Sequence, residues 1–529
     1  MFQPAITSPF RTSMVFVGLM LVASALRFPL LAQRPMHCDE AVNADKFGLL
    51  LEHGRYEYST VDFHGPTLYY LTLLPSRIQG VMRYVDLNEI TLRSVPAILG
   101  VLLVGLHFFL VPYFGLYAAA MSGLLTAVSP AMVYYSRYYI HEMLLVFLSF
   151  CTLLAVIRYY ERRHAVWACS AGVCVGLMYA TKETMIIPLG CMWAAAVALL
   201  ASERKRGRAP IVGHKPVSGR HLAIALGAAI LVAVLLMSTF FTHPRGVIDS
   251  VLAYRTYIER GSGINTFHVH PWPYYLNLLL FYHVKGGPVW SEALIAVLAL
   301  LGLWATFCKA GVPGANPLVM RFVGIYALLM IGAYSLIPYK APWNLLGFLH
   351  GMILLGGLGA AWLIHTARKR SFKVALTAVM CAGVAHLGWQ AWESSIPFSS
   401  DPRNPWVYAH TRKDVYLIVR DLELLASSYP GGRSSLPVSI ISRENLWPLP
   451  WYLRQFSSVQ WWNGVSDTAP ITPVVLITPD MEPALIRKLY DLPPPGQREM
   501  YVSMFDRYIE LRPQVELRGY VVRSLWETP

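Results

Sequence analysis

Charge is scarce in this 529-residue chain: 14% of residues are Asp, Glu, Lys or Arg, against 55% apolar. Soluble domains carry roughly a quarter charged residues, so the composition excludes a soluble globule and points to a polytopic membrane protein. Cysteine is scarce too. Of the seven cysteines, Cys151, Cys169, Cys174, Cys191, Cys308 and Cys381 lie in or beside apolar stretches. Only Cys38 falls in a polar segment, so no disulfide framework is available. The chain has no Cys-x-x-Cys pair, no glycine-rich phosphate loop, no dinucleotide fingerprint and no internal repeat. Dithiol redox chemistry, nucleotide hydrolysis and dinucleotide binding are thereby set aside.

What the chain has is long apolar runs. Stretches of roughly 18 residues lie near 14–31, 91–111, 115–133, 142–158, 165–180, 184–201, 222–241, 291–308, 321–338, 345–364 and 374–391, about eleven candidate spans. The first, with Arg11 upstream, also has the layout of a secretory signal, but many spans follow it, so it reads as an uncleaved anchor. Gly351, Gly356, Gly357 and Gly359 sit inside one span and read as close helix packing.

A cytoplasmic N-terminus puts every basic cluster on one side, as the positive-inside rule requires. These are Arg158, Arg162 and Arg163; then Arg204, Lys205, Arg206, Arg208, Lys215 and Arg220; then Lys309 and Arg321; and finally Arg368, Lys369, Arg370 and Lys373. The formal charge of +14 is therefore a topology signal and an affinity for anionic membrane lipids. No basic stripe interleaved with aromatics supports a nucleic-acid partner. An odd number of spans leaves residues 32–90, residues 242–290 and everything after about residue 392 outside.

The outside segment after the first span is densest in chemistry. It opens with His37, Cys38, Asp39 and Glu40; ionisable groups beside a bilayer tend to mark function, and a carboxylate is a natural base for a hydroxyl. Acids also favour a helix start, so a capping use stays open. Val42, Phe47, Leu50 and Leu51 share a helical face and Gly54 is a C-terminal stop, which predicts an interfacial helix. His64, Gly65 and Pro66 then open a second short helix running to about Val81. Further polar points on the same face are Arg137, His141 and Glu142 before the fourth span, the turn Lys182–Glu183, and Pro338, Tyr339, Lys340, Ala341, Pro342 and Trp343 between the ninth and tenth. Arg137 also suits a snorkelling role and Lys340 a span anchor.

This order of motifs resembles the GT-C glycosyltransferases, among them the protein O-mannosyltransferases and the aminoarabinose transferase of lipid A. The His64-Gly65-Pro66 and Pro338–Trp343 strings are similar to a prokaryotic subgroup associated with flippase activity in protein glycosylation. The resemblance covers roughly residues 10–390. It implies a GT-C-type helical membrane domain, residues 1–391, that transfers a sugar from a polyprenyl-phosphate carrier to a protein, lipid or glycan acceptor on the outer face of the plasma (inner) membrane, with inversion. It assigns the base to Asp39, beside Glu40. The leaving phosphate needs cations, for which Arg137, Lys340 and Lys182 are candidates, with Tyr339 and His64 beside them. His141 and Glu142 match a position credited with metal or donor contact, and a divalent ion there is an open possibility. His37, His64, His268 and His270 are further possible donors.

In the loop 242–290, Arg255 and Tyr257 are candidate phosphate or sugar contacts, Trp272 and the tyrosines suit an aromatic belt, and Gly261–Gly263 suits a gate. After residue 392 the composition becomes mixed. Helical periodicity at 407–427, strands at Val438–Ile441 and Val474–Ile477 and a helix at 481–490 predict a small outside α/β domain, residues 392–529. Its tryptophans, including Trp447, Trp451, Trp461 and Trp462, suit sugar stacking or a packed docking surface. A transporter or lipid flippase is the rival reading, as is a non-catalytic accessory protein; transporters, however, place polar groups at mid-membrane in repeated halves, and here the polar residues gather at one interface.

Overall fold

The computed structural model describes residues 9–60, 64–205, 217–263, 268–308 and 311–527. Arg206, Arg208, Lys215 and Lys309 lie outside the described residues. Among the described residues, eight helices are long and apolar enough to cross a membrane, and three shorter apolar ones, Leu116–Val128, Ala165–Tyr179 and Ala293–Phe307, occupy the remaining expected spans. The protein is a multi-pass helical membrane protein. The helix Leu346–Thr366 is buried on most sides because its glycines admit neighbouring backbones: a Cβ at Gly359 would lie 2.0 Å from the Leu298 carbonyl oxygen, and one at Gly357 would lie 2.0 Å from Ser122 Oγ.

Two non-spanning helices follow the first span, Cys38–His53 and Thr67–Ile78. The first ends at Gly54 in the left-handed conformation, φ 67°, as a C-terminal stop should. The second ends three residues before the expected Val81. The start of the first helix is pinned from below. Glu40, fully buried, accepts from Arg93 Nε at 2.8 Å, Arg93 Nη2 at 2.8 Å, Arg34 Nη2 at 3.0 Å, the Tyr139 amide at 2.9 Å and the His37 amide at 3.0 Å. Burial opposes its ionisation, but Arg34 and Arg93 hold the carboxyl well below the usual carboxylate range. Arg93 also donates to the carbonyls of Leu31, Arg34 and Pro35. This corrects the catalytic expectation for Glu40: all its acceptor capacity is committed to holding the preceding loop, the fourth-span entry and the helix together.

The C-terminal region carries a five-stranded sheet in the order Val459–Trp462, Val438–Ile441, Val474–Ile477, Arg518–Val522, Tyr501–Ser503. The first three are mutually parallel and the last two antiparallel. Val438–Ile441 and Val474–Ile477 are buried throughout. A helix expected over 407–427 runs from Val415 to Ser428. The independent core begins at Val415. The linker before it packs on the membrane domain, with Tyr134 donating to the Ser399 carbonyl at 2.8 Å and Tyr135 to that of Trp406 at 2.9 Å. Docking is completed by the buried Trp451, whose Nε1 donates to Glu89 at 2.9 Å, and by Tyr452, which accepts from the Met36 amide at 2.8 Å.

Replacing Glu40 by Gln leaves two buried guanidiniums without a counter-charge, which costs about 3–5 kcal/mol. Thermal unfolding in detergent should show a large loss for Glu40→Gln and a change within about 0.5 kcal/mol for the exposed Glu57→Gln.

Candidate active site

A cavity of about 580 Å³ opens where the C-terminal domain meets the end of the helical bundle. Helices that line it at one end carry the basic clusters at the other: Glu142–Arg162 begins at the cavity and ends in Arg162 and Arg163, and Ile186–Lys205 begins there and ends in Arg204 and Lys205. The cavity and these clusters are separated by the length of a span, about 30 Å for 20 residues.

One wall is the N-terminus of Cys38–His53. His37 caps it, its Nδ1 accepting from the Asp39 amide at 3.1 Å while Nε2–H donates to the Tyr408 carbonyl at 3.1 Å. Asp39 projects its carboxylate into the cavity with 48% side-chain exposure. The Cys38 thiol donates to Asp39 Oδ1 at 3.3 Å, and burial, aided by the Asp39 charge, pushes the thiol pKa up so that it keeps its proton. His37, Cys38 and Asp39 bring three possible ligand atoms within 4.8 Å of one another, but both ring nitrogens of His37 are already used.

The opposite wall exists because residue 65 is glycine. A Cβ there would fall 2.2 Å from the Ala180 carbonyl oxygen, and the close approach lets the Gly65 amide bond to Thr181 at 3.1 Å and Thr67 to Ala180 at 3.0 Å. This contact docks the His64-Gly65-Pro66 turn on the Lys182 turn. His64 Nδ1 then meets Glu183 Oε2 at 2.7 Å, the Tyr58 hydroxyl bonds to the other oxygen of Glu183, and Tyr257 lies 3.1 Å from His64 Nδ1. Burial works against the Glu183 charge, but His64 and Tyr58 prevail and its pKa falls. His141 Nε2–H donates to the Gly65 carbonyl at 3.0 Å, and Lys182 is ion-paired with Glu142. The pairing expected between Glu142 and a divalent ion is therefore replaced by one with an internal cation.

The third wall is the helix Arg245–Gly261, which contributes Tyr254, Tyr257 and Arg260; the Arg260 guanidinium lies 5.7 Å from the Tyr257 ring. Tyr339 and Trp343 close the side between the ninth and tenth spans. Tyr339 is held by a bridge to Val269, and burial together with Asp39 pushes its hydroxyl up to about 12. His268 and His270 bond to the Tyr408 hydroxyl at 2.6 and 3.3 Å, a structural use.

Of the expected site residues, Asp39, His64, His141, Glu142, Lys182 and Tyr339 line the cavity. Besides Glu40, three others do not. Arg137 is buried on the carbonyls of Arg27 at 2.7 Å and Leu30 at 3.3 Å, sealing the end of the first span. Lys340 turns back to the carbonyls of Ile337 and His270. Arg255 is 88% exposed and pairs with Glu259 at 3.3 Å. Glu183, named only as part of the Lys182 turn, and Arg260 and Asn445 had no expected role in the site; Arg260 stands one helical turn after Tyr257, a spacing that puts both on one face.

The sequence family described as PMT, dolichyl-phosphate-mannose-protein mannosyltransferase, matches residues 19–246. No match is found among curated protein sequences. Among solved structures, ArnT from Cupriavidus metallidurans bound to undecaprenyl phosphate superposes over 98% of this chain and 99% of its own, with a TM-score of 0.62 and 15% identity. The fold is GT-C. The archaeal oligosaccharyltransferase AglB from Archaeoglobus fulgidus, in complex with an inhibitory peptide and a dolichol-phosphate, shares this GT-C fold over 90% of this chain and 70% of its own, with a TM-score of 0.54 and 14% identity.

Because the Glu183 pKa is depressed in the folded protein, its carboxylate stabilises the fold above the ordinary glutamate value of about 4.3, and that contribution is lost as pH falls through the folded value. Glu183→Gln should therefore cost about 1–3 kcal/mol near neutrality, with the gap to the parent closing as thermal unfolding is repeated below pH 4.

Proposed function

We propose that this protein is an integral-membrane glycosyltransferase that moves a sugar from a polyprenyl-phosphate carrier to an acceptor hydroxyl on the extracytoplasmic face, with inversion. The observation that carries this reading is a single cavity holding a half-exposed carboxylate, Asp39, together with the cations Lys182 and Arg260. The similar ArnT structure holds undecaprenyl phosphate, and the PMT match is to transferases that draw on a dolichyl-phosphate sugar.

In this reaction the acceptor oxygen bonds to the anomeric carbon as the bond from that carbon to the phosphate oxygen breaks. The proton of the acceptor hydroxyl passes to Asp39, and the electron pair of the broken bond leaves on the polyprenyl phosphate. Lys182 and Arg260 stabilise the charge that grows on that phosphate, and the Tyr339 hydroxyl, kept protonated, donates a hydrogen bond. The Cys38 thiol holds one oxygen of Asp39, leaving the other for the acceptor. Lys182 fills the cation position beside Glu142, so that carboxylate as arranged does not fit a divalent ion; His141 donates Nε2–H to Gly65 and keeps a buried Nδ1 without a partner, and no step here uses a divalent ion. In this reading the N-terminus is cytoplasmic and the cavity and C-terminal domain lie outside, in the plasma (inner) membrane; the basic clusters at the far helix ends support that orientation.

Purified protein given a panel of polyprenyl-phosphate sugars should release carrier, and Asp39→Asn should abolish release while donor affinity stays within about threefold. Carrier release by Asp39→Asn at the parent rate, or movement of the donor across a bilayer without release, contradicts the transferase reading. Lys182→Met should weaken undecaprenyl phosphate binding about 10- to 100-fold, Arg255→Met should leave it unchanged, and chelation by EDTA should leave transfer intact.

A further inference from the structure

The C-terminal domain does more than dock. Its strand Val438–Ile441 runs parallel to both neighbours, and the loop leaving its carboxyl end, residues 442–448, reaches the cavity. Carboxyl ends of parallel strands are where open α/β sheets bind ligands. In this loop Leu446 is buried in the core of the C-terminal domain, while Trp447 packs half-buried against the membrane-domain core. The two successive side chains clamp the loop between the domains. The Trp447 amide donates to Asn445 Oδ1 at 2.9 Å, and Arg512 donates to the Asn445 carbonyl. Trp447 and Asn445 share the cavity wall with Asp39, Tyr339, Trp343 and Asn344.

This wall differs chemically from Lys182, His64 and Arg260, which also line the cavity. It offers indole and phenol faces with two side-chain amides, each able to donate and accept. We propose that Trp447 and Asn445 form an acceptor subsite for a carbohydrate, the indole stacking on the apolar face of a sugar ring and the amides bonding its hydroxyls, so that one hydroxyl is presented to Asp39. One mode of peptide recognition, addition to a sheet edge, is not offered here: the two edge strands, Val459–Trp462 and Tyr501–Ser503, contribute no residue to the cavity. The assignment rests on the transferase reading of the cavity and names its acceptor class.

The test is direct binding to the full-length protein in detergent, without turnover. Octyl glycosides of hexoses and pentoses, a serine- and threonine-containing peptide, and undecaprenyl phosphate are titrated separately against the parent, Trp447→Ala, Trp447→Phe and Asn445→Ala. The expected result is saturable binding of a glycoside, weakened about tenfold or more by Trp447→Ala, largely recovered in Trp447→Phe, and weakened by Asn445→Ala. Undecaprenyl phosphate affinity should be the same in all four proteins, which also reports that the variants are folded. Glycoside affinity unchanged in Trp447→Ala, or peptide binding where no glycoside binds, overturns the proposal. Failure of the parent to bind undecaprenyl phosphate counts instead against the transferase reading, since that readout does not involve Trp447.

Discussion

A carboxylate with no exposure, sandwiched between two guanidiniums, sets the position of everything above it. Glu40 and Arg93 are both fully buried, and Arg34 nearly so. Such a cluster adds little net stability over an apolar replacement, but any single loss from it is costly. Its structural value is therefore in fixing geometry. Through Glu40 the start of the helix Cys38–His53 is tied to the end of the first span, the entry of the next and the loop at Tyr139. Asp39 is the adjacent residue, and its orientation toward the cavity follows from where Glu40 is held.

The other pole of the cavity depends on a close backbone approach at Gly65, which joins three sequence-distant segments and brings His64, Glu183, His141, Lys182 and Glu142 together. The cavity is thus assembled from one fixed carboxylate, one cluster of cations and imidazoles, and a third wall from the helix Arg245–Gly261. Under the transferase reading, separate placement of Asp39 as base and of Lys182 and Arg260 as partners for the phosphate suits an in-line displacement, in which the acceptor approaches the reacting carbon on the side opposite the departing group. The C-terminal domain completes the enclosure at the Asp39 end with Asn445 and Trp447.

Much of this was legible in the chain because the signals were strong ones. Of about eleven apolar runs, eight form helices of the length a membrane imposes, and Val438–Ile441 and Val474–Ile477 are apolar-rich, fully buried strands of a parallel sheet. The strands Val459–Trp462, Tyr501–Ser503 and Arg518–Val522 are short and mixed in polarity, and went unread. Asp39 and Glu40 look equivalent in sequence, yet neighbours on a helix point about 100° apart, so one faces the cavity and the other the core. Arg137 and Lys340 stand at span ends, where long cationic side chains can turn back to unsatisfied carbonyls, and both do so. The boundary drawn at residue 392 followed the change in composition, whereas the packed linker to about residue 411 belongs with the membrane domain.

The most direct measurement is an experimental structure of the protein with undecaprenyl phosphate. The account predicts phosphate density inside the cavity, within hydrogen-bond reach of Lys182 or Arg260 and on the far side of the reacting position from Asp39. Phosphate held at Arg137, Lys340 or Arg255, or along a path through the middle of the helical bundle, would contradict it.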